Sequence, residues 1–351
     1  MIDYSSTFRV AAVQAEPVWF DLDATVDKAI SLIGEAARGG AALIAFPEVF
    51  VPGYPYHIWL DSPAHSLTNF AGRYLANSPE VDGPQVAKLL DAAREHEIAV
   101  VIGISERSGG TLYMGQLIIG PDGNLIQARR KLQPAYVEQT VFGRGDSSDL
   151  VVHQLPFARV GALNCWEHFQ PLTKQAMFMQ NEQVHVASWP GMSWYQPGIP
   201  LMSADRQSDA TRMYALEGQT YVVCATQVVT PTAVDFFCTK PEHKELLGSG
   251  GGFARIYGPD GSDLAEPLAP DAEGMLFADL DLSAAALIKT ARDAVGHYTR
   301  PDVYTLRLHT SQARTAMASR AADPASSLTS AGEAEFAPAS AKDGTAGAPA
   351  L

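Results

Sequence analysis

Cys165 stands in LNCWEHFQPL at residues 163–172, where an apolar strand-like run gives way to a helix-compatible stretch. A thiol on such a turn is presented to a pocket, and the amides beyond it can bind developing anionic charge. A free cysteine is also a common small core residue. Asn164, Trp166, Glu167 and His168 argue otherwise, because a packed strand end has little use for them. Glu48 follows a second apolar run in FPEVFVPGYPY at residues 46–56. A carboxylate bracketed by aromatics and prolines sits in a rigid, partly dry place. Desolvation there raises its pKa and suits it to accept a proton; the alternative is an ordinary loop acid. Lys131 closes the cationic run Arg129-Arg130-Lys131, which could equally be a solvated basic end. Glu138, seven residues on, could pair with one of those cations. Of the other cysteines, Cys224 lies in an apolar run and reads as core. Cys238 follows Phe236-Phe237 with no charged partner nearby, so neither looks activated.

The surrounding pattern supplies elements to hold these groups. Residues 8–14 read as a strand, 24–37 as an amphipathic helix with Ile30 and Ile33 on its apolar face, and 42–46 as a buried strand leading to Glu48. A helix at 84–96 precedes a strand at 98–104. Short strands then follow at 112–119, 125–128, 150–154 and 158–163, the last leading to Cys165. Pro121-Asp122-Gly123-Asn124 is a hairpin turn. Helices at 171–180, 203–219 and 282–291 alternate with extended runs at 184–188, 221–227 and 275–280. A second hairpin joins 253–257 to 263–266. Hairpins mixed with helix-flanked strands indicate an α/β fold with mixed sheets and outer helices. Gly248-Ser249-Gly250-Gly251-Gly252 lacks a P-loop lysine and precedes a strand, so it reads as a loop.

Composition narrows the partners. The 351 residues carry 25 Lys and Arg against 39 Asp and Glu, a formal net charge of −14. That sign repels nucleic acid and acidic membrane faces. No apolar run approaches the ~18 residues of a membrane span. No secretory signal is visible, and three cysteines make no disulfide framework, so a reducing cytoplasm is the expected location. No pair of cysteines has zinc-finger spacing. Of the 40 residues 312–351, 14 are alanine. Such a segment buries too little apolar surface to order itself, so 311–351 is expected to be a low-complexity tail and 1–310 the folded domain.

Taken in order, FPEVFVPGYPY, RRKLQP at 129–134 with VEQTVFGRGD at 137–146, and LNCWEHFQPL resemble the nitrilase superfamily. VASWP at 186–190 and GHYTRPDV at 296–303 resemble its nitrilase branch, and the bacterial aliphatic-type members in particular. The resemblance runs from about residue 8 to 308. It implies an α-β-β-α four-layer sandwich of two mixed sheets with outer helices. It places the Glu–Lys–Cys set on Glu48, Lys131 and Cys165, which are 83 and 34 residues apart, and adds Glu138 as a fourth member orienting Lys131. It implies hydrolysis of an organic nitrile to a carboxylic acid and ammonia, with no metal or organic cofactor. Substrate contacts are expected from Tyr54, Trp166, Ser188, Trp189 and Met192, with packing an almost equal reading for the last two. His168 bears on the site or is structural, His297 holds the C-terminal segment, and His57 and His185 are structural. A homo-oligomer built on a dimer is expected, its size left open between a small assembly and a spiral or filament. The rivals are a cyanide dihydratase, an amidase of the same superfamily, and a non-catalytic assembly subunit.

Overall fold

The computed structural model describes residues 3–194 and 198–308; the expected tail at 311–351 lies outside the described residues. The strands are β1 (Thr7–Gln14), β2 (Ala41–Ala45), β3 (Ala99–Ser108), β4 (Thr111–Ile119), β5 (Leu125–Arg130), β6 (Phe142–Gly143), β7 (His153–Gln154), β8 (Arg159–Asn164), β9 (Val184–Trp189), β10 (Tyr221–Thr226), β11 (Arg255–Tyr257) and β12 (Gly274–Asp281). Their hydrogen-bonded order is β5-β4-β3-β2-β1-β10-β9-β8-β7, with β12 on β1, β11 on β10 and β6 on β4. β1, β2 and β3 run parallel, as do β8, β9 and β10. The hairpin β3–β4–β5 is antiparallel. The fold is therefore mixed α/β, as the pattern predicts.

The two sheets of the sequence reading are joined here into one order. The junction between β1 and β10 is slender, a single pair, Gln14 with Thr226, at the C-terminal ends of both strands. Side-chain alternation explains how the halves share a core. Val10 and Ala12 of β1 pack with Val160, Ala162, Val184, Val186 and Val223 from the other half. Their neighbours Ala11 and Val13 turn the opposite way, onto Val26, Ala29 and Ile33 of helix Leu22–Arg38. In the second half Leu163, Ala187, Val222 and Cys224 face Met177, Phe178, Tyr214 and Ala215, which belong to or adjoin helices Pro171–Phe178 and Ala204–Gly218.

Local chemistry sets the element ends. The Asp21 carboxylate accepts from the Ala24 amide and starts the first helix, and Gly39 closes it. Two expected strands shrink. The run at 150–154 keeps only β7, because the chain turns through a short 3-10 helix at Ser147–Asp149. The run at 263–266 forms a single bridge, Tyr257 with Asp263, and Pro267 lacks the N–H to continue a ladder. Among the described residues no helix is long and apolar enough to cross a membrane.

Candidate active site

The C-terminal ends of the central strands of both halves converge at the β1–β10 junction, and the chemistry-bearing residues sit there. Glu48 follows β2, Lys131 follows β5, and Cys165 follows β8. Main chain ties the halves together at this level: the Glu48 amide donates to Trp189 O (3.3 Å), and the Gln227 carboxamide donates to Glu48 O (2.7 Å). Gly103 of β3 makes room for the turn carrying Glu48, since a Cβ there would lie 2.3 Å from Pro47 O.

Lys131 is wholly buried, with its ammonium between two carboxylates. It donates to Glu48 Oε1 at 2.9 Å and Glu138 Oε2 at 2.8 Å. Glu138 also accepts from the Tyr54 hydroxyl (2.8 Å) and the Ala135 amide (2.6 Å). Tyr54 in turn accepts from Trp59 Nε1 at 2.9 Å. Glu48 Oε2 is buried with no hydrogen-bond partner. The Cys165 sulfur and one oxygen from each of Glu48 and Glu138 lie within 4.8 Å of one another. The structure thus brings all four expected residues into one cluster.

Burial and mutual charge set the proton affinities. Burial pushes the Glu48 carboxyl up to about 8, with Lys131 opposing and Glu138 reinforcing the rise. Burial works against the Lys131 ammonium, but Glu138 and Glu48 outweigh it and hold the lysine above its ordinary range. Burial, then Glu48, raises the Cys165 thiol well above its usual range, against Lys131 and the Trp166 amide. The resting thiol therefore keeps its proton, and attack requires a base beside it. A Glu48 carboxylate oxygen lies within 4.8 Å of the thiol sulfur.

Cys165 adopts φ +47°, in the left-handed region, a conformation that surrounding structure must enforce. One enforcing clamp is Glu167. It accepts from Arg129 Nη2 (2.8 and 3.0 Å), from the Asn164 amide (2.7 Å) and from the Leu132 amide (3.0 Å). One buried carboxylate thus binds the chain on both sides of β8's end to the chain around Lys131. From sequence alone Arg129 and Glu167 have no evident task. Their signal was there, two charged residues beside two of the reactive ones, but only topology shows that they meet.

Of the expected substrate contacts, Tyr54, Trp166 and Met192 line a cavity over the Cys165 thiol, together with Trp59, Ala135, Trp194 and Met202. Its free volume is about 10 Å³, space for about one water. Ser188 and Trp189 are elsewhere. The Ser188 hydroxyl donates to Phe46 O at 2.8 Å and accepts from Gln116. Trp189 is buried against His168, with ring centroids 5.2 Å apart. Both sit on β9 but on opposite faces of it: Trp189 shares a face with Ala187, and neither is among the residues that line the cavity. Trp59 and Trp194 escaped the sequence reading because each lies several residues outside a motif. His57 packs flat on Phe70, centroids 4.4 Å apart, as a structural residue does.

Residues 9–290 match the model of the carbon-nitrogen hydrolase family. The chain is 63% identical over 320 residues to an aliphatic nitrilase of Rhodococcus rhodochrous, covering 90% of this chain and 87% of that one. It is 48% identical to a nitrilase of Pseudomonas syringae pv. syringae, covering 85% and 88%. A carbon-nitrogen hydrolase from Helicobacter pylori G27 superposes with a TM-score of 0.68 at 16% identity, covering 86% of this chain and 98% of its own. An amidase from Nesterenkonia sp. superposes at 0.59 with 18% identity, covering 86% and 97%; these two likenesses are of fold.

Proposed function

The chain belongs to the carbon-nitrogen hydrolase family, and from that premise we propose that it is a nitrilase of the aliphatic type, turning a nitrile and two waters into a carboxylic acid and ammonia. The observation that carries the reading is the meeting of a buried thiol, two buried carboxylates and a buried ammonium within one cluster.

The Cys165 sulfur attacks the nitrile carbon while Glu48 takes the thiol proton and passes it to the nitrile nitrogen, giving a covalent thioimidate. Glu48 then takes a proton from water as that water adds to the same carbon. The tetrahedral species is stabilised by the Lys131 ammonium and the Trp166 N–H. The nitrogen takes the proton held by Glu48 and then the hydroxyl proton of the tetrahedral species, relayed by the same carboxylate; the C–N bond breaks, ammonia leaves, and a thioester remains. A second water, activated by the same carboxylate, releases the acid and restores the thiol. Glu138 holds Lys131 and keeps the cation pointing at the reacting carbon. Three compensating charges desolvate at lower cost than any one alone.

In this reading the two halves of the sheet are the facing sheets of a four-layer α-β-β-α sandwich carried by residues 1–310. Leu172, Met179 and Tyr304, exposed around a groove at helix Pro171–Phe178, support assembly into a dimer-based homo-oligomer, read out by light scattering. Three unpaired cysteines fit a reducing cytoplasm.

The test is a panel of aliphatic, aryl and arylaceto nitriles, cyanide and the matching amides, with ammonia, acid and amide measured together. Aliphatic nitriles should give acid and ammonia, and Cys165→Ala should give neither while keeping the wild-type circular dichroism. Turnover of amides alone would make the protein an amidase; formate from cyanide alone would make it a cyanide dihydratase.

A further inference from the structure

Behind Cys165 lies a row of buried polar groups that the reaction above does not use. The His168 Nδ1 nitrogen is 2.7 Å from Cys165 O. His168 Nε2 is 3.0 Å from His185 Nε2, and His185 Nδ1 is 2.7 Å from Glu182 Oε1. The Tyr214 hydroxyl donates to Glu182 Oε2 at 2.6 Å. Each of these side chains is essentially inaccessible to solvent. Gly161 of β8 makes room for the carboxyl, because a Cβ there would lie 2.0 Å from Glu182 Oε1.

Hydrogen-bond bookkeeping fixes the protons along this row. A carbonyl only accepts, so His168 Nδ1 carries hydrogen and donates to Cys165 O. With His168 neutral, its Nε2 accepts, and His185 Nε2 must donate. With His185 neutral too, its Nδ1 accepts, so Glu182 donates as a protonated acid. Burial favours these neutral forms: it lowers both imidazoles well below the usual histidine range and raises Glu182 to about 8. Every member then has a partner of the right kind, and the row points one way, from Tyr214 to Cys165 O.

The peptide at the end of the row joins Cys165 to Trp166. It is planar and trans, so its C=O and N–H point in opposite directions, and fixing one fixes the other. The Trp166 N–H is one of the groups that lower the proton affinity of the Cys165 thiol, as a donor toward the sulfur does. We propose that His168, with its tautomer set by His185 and Glu182, is a positioning residue that orients and polarises the Cys165–Trp166 peptide so that the Trp166 N–H serves as the anion-stabilising donor. A hydrogen bond accepted by the carbonyl makes the N–H of the same peptide a stronger donor. It also restrains Cys165 in its left-handed conformation. This role rests on the nitrilase reading of Cys165.

The experiment compares His168→Phe, which keeps a flat ring against Trp189, with His168→Asn, whose side-chain NH2 can reach the position of Nδ1–H. Steady-state kinetics on one aliphatic nitrile, with thermal melting of each variant, gives the readout. Removing an anion-stabilising donor outright costs about 10²–10³ in kcat, so loosening it should lower kcat at least about tenfold in His168→Phe. KM should stay within about threefold, and His168→Asn should recover most of the loss. A His168→Phe enzyme within twofold of wild type overturns the proposal, as does a fall carried by KM. So does a His168→Asn enzyme no better than His168→Phe at equal melting temperature. If His168→Phe does not fold, Glu182→Gln, which still donates to His185, is compared with Glu182→Met, which cannot; equal kcat in the two overturns the proposal. Cys165→Ala, run alongside, separates failure of the nitrilase reading, because its full activity would remove the nucleophile and leave the row without a task.

Discussion

Glu138→Gln isolates the electrostatic coupling inside the cluster. Glu138 and Glu48 each offer an oxygen within 4.8 Å of the other, and the Glu138 charge is one cause of the raised Glu48 pKa. At 4.8 Å and an effective dielectric of about 20, two unit charges interact by about 3.5 kcal/mol, or about 2.5 pKa units. The replacement removes that repulsion and leaves Lys131 facing Glu48 alone, so the Glu48 carboxylate stays ionised to lower pH. The acid limb of the kcat/KM profile, which reports the coupled cluster as a whole, should move down by about 2 pH units. The rate on the plateau should fall nonetheless. A less basic Glu48 is a poorer proton acceptor, and positioned general bases contribute about 10²–10⁴-fold. Shape is nearly conserved: the glutamine oxygen can take the Lys131 and Ala135 donors, and its NH2 can donate to the Tyr54 oxygen. The assay is initial ammonia release from a non-ionising aliphatic nitrile between pH 5 and 10. An acid limb that stays put or moves upward would refute the coupling, and an unchanged plateau would reduce Glu138 to packing.

Three further outcomes follow from the geometry. Glu167→Gln breaks a buried ion pair and should destabilise the protein by about 3–5 kcal/mol at pH 7, read as a shift in urea midpoint. Because Arg129 and the surrounding amides outweigh burial and lower the Glu167 pKa, that stabilisation is present above the unfolded value of about 4.3. The gap between variant and wild type should therefore narrow as pH falls through the lower folded value; a gap independent of pH would contradict the assignment. Met202→Ala enlarges the narrow cavity wall and should raise kcat/KM for an aryl nitrile relative to a small aliphatic one by about tenfold, each methylene being worth about 1–3 kcal/mol; an unchanged ratio would mean that Met202 does not limit substrate size. Gly161→Ala forces a methyl into the Glu182 carboxyl and should cost at least the 1–3 kcal/mol typical of overpacking; a variant as stable as wild type would show that Glu182 is not held there.

Glu48 and Cys165 were legible because each stands where an apolar run ends in polar or aromatic residues, a pattern that packing alone does not explain, whereas Lys131 and Glu138 take their roles from the family resemblance alone. Glu48 and Cys165 follow the buried strands β2 and β8, so local periodicity is enough to place them at strand ends. What periodicity cannot supply is which strand ends meet. β2 and β8 belong to different halves, whose ends are brought together by the β1–β10 pair and by the bonds from the Glu48 amide to Trp189 O and from Gln227 to Glu48 O. Arg129 and Glu167 illustrate the consequence. They are 38 residues apart and carry no mutual sequence signal, yet they form a buried pair.

Ser188 and Trp189 err in the opposite direction. Their motif was recognisable, but a β9 strand alternates faces at every residue, so closeness in sequence to a motif does not fix closeness to the thiol. His185 was read as structural, and its side chain does lie away from the cavity. Alternation on that same strand turns it toward His168 and links it to the peptide of the nucleophile. A structural histidine and a functional one differ here only in what stands at the far end of the hydrogen-bonded row. That can be learned only once the turn after β8 and the strand β9 are seen side by side.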